Sequence, residues 1–252
     1  MRYFVAFSYF GKLYHGWQRQ PNALTVQQVM EEVFSILLRE PIQLVGAGRT
    51  DAGVHAKQMY AHFDAGPVKD LDALVNRCNS FLPEDIAVMG IYKVPEGTHA
   101  RFDAIERTYE YWVVQQKDPF YIGLAHYVRQ PLNIDMMNKV AARLIAKMDF
   151  ECFSRSNSDV GTFICDVRRA QWERREGILV FTISADRFLR NMVRAIVGTL
   201  LEAGQGRLGT ADIQRILQSG DRAEAGASVP AKGLYLTAVV YPQKIKLNGY
   251  HG

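Results

Sequence analysis

The sequence predicts an α+β protein made of two similar halves, each with the order of a split β-α-β unit. Three observations carry this expectation. Apolar patterning reads β-α-β-β-α-β in the first half and β-α-β-β-α-α-β in the second. The chain has 252 residues, which at roughly 150 per domain gives between one and two domains. Apolar residues make up 48% and charged residues 22%, the balance of a globular chain rather than a disordered one.

Arg2 to Tyr9 alternates and is rich in aromatic side chains, which predicts a strand. Thr25 opens a helix, with Gln28 three residues on as a capping box. Val26, Val29, Val33, Ile36 and Leu37 form its apolar stripe to about Arg39, and Pro41 follows its end. Ile42 to Val45 predicts a strand, followed by a Gly-rich loop from Gly46 to Gly53. Gln58 to Asp64 is the next strand. Asp70 caps a helix carrying Leu71, Leu74, Val75 and Cys78, and Ile86 to Val94 closes the half as a strand.

The second half opens with a strand from Arg107 to Gln116, with Tyr109, Tyr111 and Val113 on one face. Asn133 or Asp135 starts a helix that turns Met137, Val140, Ala141, Leu144 and Met148 inward. Phe163 to Arg175 and Ile178 to Asp186 read as a hairpin turning at Glu176-Gly177. Phe188 to Ala203 is a helix closed by Gly204. Thr210 starts another helix, ended by Gly220. Leu234 to Tyr241 is the last strand, stopped by Pro242. The expected organisation is 1–105, 106–243 and a frayed tail over 244–252.

Several function classes are unsupported. No run of 18 apolar residues exists, so no membrane span is expected. Met1 to Val5 enters a strand pattern at once, so no signal peptide is expected. The three cysteines, Cys78, Cys152 and Cys165, form no C-x-x-C pair and suit reduced thiols in the cytoplasm. The six histidines offer no H-E-x-x-H, and no metal site is expected. Charge divides unevenly. Residues 1–104 hold 10 basic against 11 acidic side chains, whereas residues 105–252 hold 20 against 15. The excess is arginine-heavy, at Arg168, Arg169, Arg174, Arg175, Arg187, Arg190 and Arg194. Such a bias suits a nucleic-acid partner, and equally a solvated basic face.

The stretch Gly48-Arg49-Thr50-Asp51-Ala52-Gly53-Val54-His55-Ala56 is the most informative. A dinucleotide fingerprint fails because Asp51 stands where a glycine is needed and a strand follows rather than a helix. A phosphate loop fails because Val54 and His55 occupy the Lys and Ser/Thr positions. A tight turn also accounts for the glycines.

The whole string, however, resembles the signature loop of the TruA family of tRNA pseudouridine synthases. Tyr14-His15-Gly16-Trp17-Gln18-Arg19-Gln20 is similar to that family's Y-x-G-W-Q-x-Q segment. His99-Ala100-Arg101-Phe102, with Arg107-Thr108-Tyr109-Glu110-Tyr111, resembles its H-A-R-F and R-x-Y-x-Y run. Phe188 to Gly198 resembles its F-L-x-x-M-V-R-x-I-V-G helix, and Gly233-Leu234-Tyr235-Leu236 its closing strand. The matches run in family order along nearly the whole chain. One departure is Pro230-Ala231-Lys232-Gly233, where A-P-x-x-G is the family pattern.

The resemblance implies two ferredoxin-like, RRM-like halves whose antiparallel sheets join side by side, with helices on one side and a basic cleft between the halves. It implies isomerisation of uridine to pseudouridine at positions 38, 39 and 40 of tRNA, without cofactor or metal, by a cytoplasmic homodimer. The C1′–N1 bond breaks, the uracil rotates, and its C5 joins C1′. By position the resemblance implies that Asp51 is the catalytic aspartate, a carboxylate nucleophile or base. It implies that Arg194 pairs with Asp51 and keeps it ionised against desolvation, the other reading being a solvent-facing helix residue. It implies that Tyr109 stacks on the target uracil, the other reading being an ordinary strand aromatic. It implies that Arg49 contacts RNA and helps displace the base, the other reading being a loop ion pair with Asp51. His55 and Lys57 are candidates for phosphate contact, with a plain strand-edge role as the other reading. The target nucleotide has to leave its stack, at a cost of a few kcal/mol.

Two rival classes stand beside this. Each half's order suits an RRM, yet no strand carries the RNP1 pattern. A glycoside hydrolase breaks a related bond but needs two flanking carboxylates, and only one acid stands out.

Overall fold

The computed structural model describes residues 1–155 and 161–245 and is mixed α+β. The chain groups into two compact units. One is Met1–Ile105 joined by the chain from Leu236 onward, and the other is Glu106–Tyr235. The last strand, assigned by the sequence to the second half, thus contributes most of its length to the first unit. Of the expected tail, residues 246–252 lie outside the described residues.

In the first unit β1 (Arg2–Tyr9), α1 (Val26–Leu38), β2 (Val45–Gly46), β3 (His55–Asp64), α2 (Leu71–Phe81) and β4 (Ile86–Val94) follow one another. β1 pairs antiparallel with both β3 and β4, and β2 pairs antiparallel with β3. The order β4-β1-β3-β2 is that of a split β-α-β unit. Phe4, Phe7, Phe34, Phe63 and Trp17 are buried at its centre. Fully burying a large apolar side chain contributes about 1.5–3 kcal/mol. Phe7 stacks on Trp17 at 5.1 Å, and Phe34 meets Phe63 edge-on at 5.2 Å.

Local chemistry changes one expected cap and two expected boundaries here. The Thr25 hydroxyl accepts from the Gln28 N–H at 3.3 Å, but the Gln28 side chain donates to Glu32 instead of closing the capping box. Ile42 to Val45 does not form a full strand. Its backbone groups are taken by α1 side chains: Ser35 Oγ accepts the Ile42 N–H, Glu31 accepts the Leu44 N–H, and Gln27 donates to the Leu44 carbonyl. β3 starts at His55 rather than Gln58, because Ala56 pairs with Tyr9 on β1. The buried face of α1 is also turned from the expected stripe. Ile36 is exposed, while Gln27 and Glu31 are buried as a hydrogen-bonded pair.

The second unit contains β5 (Glu106–Val114), β6 (His126–Tyr127), α3 (Ile134–Ala141), β7 (Lys147–Asp149), β8 (Ile164–Arg175), β9 (Ile178–Ala185), α4 (Met192–Gly204) and α5 (Thr210–Ser219). Its strands run β5-β9-β8-β7, with β6 parallel to β5. The β8–β9 hairpin turns at Glu176 and Gly177, whose φ values of 46° and 87° are those of a type I′ turn. β6 and β7 were not predicted. The helix expected to reach Met148 stops at Ala141, because Met148 pairs with Cys165 in the β7–β8 ladder. α4 begins at Met192 rather than Phe188. Asn191 precedes it with φ 67°, a conformation no α-helix contains, and its side chain donates to Ser228 Oγ at 2.6 Å. Gly204 is the last helical residue and not the cap.

The final strand, β10 (Leu234–Val240), is anchored in the first unit by Gln58, whose side-chain oxygen accepts the Val239 N–H at 3.0 Å. Among the described residues no helix is long and apolar enough to cross a membrane.

Candidate active site

Asp51 sits at the head of a tight turn between β2 and β3. Its carbonyl accepts the Val54 N–H at 3.2 Å, and Gly53 holds φ 78°, as a type II turn requires at that place. Asp51 is half-buried, and Arg49 and Lys57 are exposed. Thr50 is fixed from below, its hydroxyl 2.8 Å from the Tyr9 phenol. The segment from Tyr14 to Trp17 clamps the turn from the side. The Trp17 N–H donates to the Thr50 carbonyl at 3.3 Å, and the Gly53 N–H donates to the Tyr14 carbonyl at 3.2 Å. Gly16 lies against this turn with φ 89°, and a Cβ there would collide with the Thr50 carbonyl oxygen. The two motifs carried separately by the sequence are therefore joined in one hydrogen-bonded unit. The Tyr14 phenol donates to Asp85 at 2.6 Å, and burial with this bond raises its pKa.

His55 is almost wholly buried. Its Nδ1 accepts the Gly11 N–H at 2.9 Å, and its ring lies flat on Phe10 at 4.3 Å. The sequence alternatives for His55 were phosphate contact and a strand-edge role. The ring is placed inside the unit, where it fastens the chain at Gly11 beside the loop.

Sequence reasoning missed the pair Gln27 and Glu31. Gln27 donates to Glu31 at 2.9 Å and accepts the Arg19 N–H at 2.8 Å; Glu31 also pairs with the Arg19 guanidinium at 3.0 Å. Together they tie the Gly16–Gln20 stretch to the Leu44 backbone, just ahead of β2 and the loop. The signal was present as two polar residues four apart on an otherwise apolar helix face.

A second turn, His99 to Asp103, is also built tightly. The His99 N–H donates to Asp103 at 2.7 Å, and His99 Nδ1 accepts the N–H groups of Arg101 and Phe102 at 3.1 and 3.3 Å. His62 Nδ1 accepts the Ala100 N–H at 3.1 Å, and the Tyr241 phenol donates to the Ala100 carbonyl at 2.6 Å. Burial first, then the Arg2 and His99 charges, lowers the His62 pKa to about 4, so His62 remains a neutral acceptor.

Tyr109 and Arg194 lie in the other unit. Tyr109 is on β5, half-buried, and Phe188 meets it edge-on at 5.2 Å. Arg194 is in the first turn of α4, and its Nε donates to the Val229 carbonyl at 2.7 Å while Val229 N–H returns a bond to its carbonyl. Burial raises the pKa of Tyr111 on β5, and the Arg194 charge opposes that rise. Its phenol donates to Pro230 at 2.8 Å. The segment around Ala227 passes so close to α4 that a Cβ on Gly198 would strike the Ala227 carbonyl.

Part of the arginine excess serves the fold. Arg168 pairs with Glu106 and Asp166 at 3.0 Å, and Arg175 pairs with Glu110 and Glu173. Among the described residues no group of three or more His, Cys, Asp or Glu side chains is placed to hold a metal ion. Burial raises the thiol pKa of Cys78, Cys152 and Cys165 to about 12, which makes them packing residues rather than nucleophiles.

A family described as tRNA pseudouridine synthase matches residues 140–242. The likeness to individual relatives extends along the whole chain. A tRNA pseudouridine synthase A from Parabacteroides distasonis is 49% identical over 245 residues, covering 97% of both chains. That of Porphyromonas gingivalis is 48% identical over 250 residues, covering 98% of this chain and 99% of its own. The chain belongs to the tRNA pseudouridine synthase A family. Even the more distant family member from Chlorobium luteolum is 38% identical over 235 residues, 93% of each chain. Membership therefore rests on both units, including the Asp51 loop that lies before the matched 140–242 region.

Proposed function

We propose that this chain isomerises uridine to pseudouridine in tRNA, acting on the anticodon stem-loop at positions 38, 39 and 40. The observation that carries the reading is Asp51, a half-buried carboxylate on a turn clamped by Tyr14–Trp17, in a chain of this family. A fixed carboxylate suits a reaction in which one group must meet the sugar–base junction in a set geometry. Asp51 acts at that junction as nucleophile or base. The C1′–N1 bond breaks, the uracil turns in place, and C5 bonds to C1′ before the C5 proton leaves. Every heavy atom of the substrate is conserved.

Tyr109 stacks on the uracil, and Arg194 supplies the cation for the Asp51 carboxylate. Arg49 and Lys57, both exposed, contact the RNA. The nucleotide is flipped out of its stack, at a cost of a few kcal/mol that cationic backbone contacts offset. The protein works in the cytoplasm as a homodimer, without cofactor.

Release of tritium from tRNA labelled at uracil C5 tests the reaction and separates the rival classes. Pseudouridine formation releases the label. A binding module releases nothing, and a hydrolase frees uracil and leaves abasic RNA. Either of the last two results would overturn the proposal. Mapping pseudouridine in tRNA from cells lacking the protein tests the three positions, and sedimentation tests the dimer.

A further inference from the structure

The His99–Asp103 turn ends in an exposed aromatic–cation pair that the reaction above does not employ. Phe102 is 75% exposed, and the Arg101 guanidinium carbon lies 5.7 Å from its ring centroid. The ring is the outer end of a column that starts in the core. Phe4 is fully buried and faces His62 at 6.2 Å; His62 meets His99 at 4.6 Å; His99 meets Phe102 at 4.2 Å. The turn beneath is over-determined, since its N–H groups are taken by Asp103, His62 and His99 and the Ala100 carbonyl by Tyr241. Asp103 N–H closes it on the His99 carbonyl at 3.0 Å.

We infer that the Arg101–Phe102 tip is an RNA contact point, where an unpaired base stacks on Phe102 and Arg101 meets the neighbouring phosphate. This deepens the proposed function and rests on tRNA being the substrate. Exposure alone does not set Phe102 apart, since Phe120 is more exposed; the guanidinium beside the Phe102 ring and the fixed turn beneath it do. A nucleobase needs only one flat face and a nearby cation, which is what the tip presents. Because the turn is already ordered, binding there costs little additional conformational entropy.

The experiment measures binding of tRNA and of its anticodon stem-loop over a salt series, with pseudouridine formation in parallel. Phe102→Ala weakens RNA binding about tenfold, as loss of one base–aromatic stack predicts, and leaves the salt slope and the thermal midpoint unchanged. Phe102→Trp restores the affinity. Arg101→Gln lowers the salt slope by about 0.7–0.9, the amount for one phosphate. Unchanged affinity in Phe102→Ala, with wild type binding and modifying tRNA normally, overturns this inference and leaves the proposed function standing. A Phe102→Ala protein that sediments at lower mass, with unchanged RNA affinity, overturns it in favour of a second copy of this chain covering the ring. Failure of wild type to bind RNA overturns both.

Discussion

Asp51 and His62 show how much a single side chain depends on what surrounds it. Asp51→Asn preserves size and hydrogen bonding at the head of the turn but removes the charge. We expect pseudouridine formation to fall at least 10⁴-fold, roughly 5 kcal/mol of barrier, with tRNA affinity unchanged. Tritium release under single turnover checks this; appreciable product from a verified Asp51→Asn protein would exclude the carboxylate. His62 sets a pH dependence of stability. Its folded pKa of about 4 lies below the ordinary 6.5, so the unfolded chain binds more protons between those values. His62 therefore makes stability fall as pH drops from about 6.5, with the loss levelling off near pH 4. Arg2 and His99 reinforce this and Asp64 opposes it. His62→Gln retains an acceptor for the Ala100 N–H without a titrating group. Urea midpoints for the variant should vary less with pH across that window, and equal slopes for both proteins would assign the effect elsewhere.

Two elements are governed by close backbone geometry. The β8–β9 turn places Glu176, with its full side chain, at φ 46°. Asparagine tolerates that region better, and Asn-Gly is the preferred pair of a type I′ turn. Glu176→Asn is expected to stabilise the protein by about 1 kcal/mol, read as a higher urea midpoint with unchanged slope. A lower midpoint would mean that Glu176 makes a contact outweighing its backbone preference. On α4 the reverse applies. Gly198 lets the Ala227 segment cross the helix, where Gly226 N–H also reaches Thr199 Oγ1 at 2.9 Å. Gly198→Ala gains helix propensity of about 1 kcal/mol but forces the segments apart. Net destabilisation of about 1–3 kcal/mol follows, together with displacement of Val229 from Arg194. Wild-type melting of Gly198→Ala would contradict the close approach.

For the molecule as a whole, charge distribution governs association with RNA. The chain carries a net charge of +4, and the excess lies beyond residue 104. With Arg168 and Arg175 committed to carboxylates, fewer cations than the raw count reach phosphate. We expect log affinity for tRNA to fall linearly with log salt, with a slope of about −0.7 to −0.9 per phosphate contacted. A filter-binding series from low to moderate salt measures it, and a flat response would contradict phosphate-tracking.

Local chemistry in the sequence was enough for the elements whose stabilisation is local. The Asp70 cap, the Glu176-Gly177 turn and the extent of β1 follow from residues a few positions apart, and each is found where its pattern stands, although β1 is buried on both faces from Tyr3 to Phe7 and does not alternate. The motif strings likewise marked Asp51 and Tyr109 as the residues to examine, because side-chain type and spacing are written directly in the chain. What required the tertiary structure was everything decided by distant partners. Ile42–Leu44 leaves the strand because α1 side chains take its backbone groups. Met148 leaves the helix because β8 offers it a ladder, and α4 starts late because Asn191 turns toward Ser228. His55 is held inside the unit because Gly11 and Phe10, 44 and 45 residues away in sequence, meet it there. Hydrogen bonds and ring contacts of that range bring together residues whose separation leaves no periodic trace, so only the folded chain could decide them.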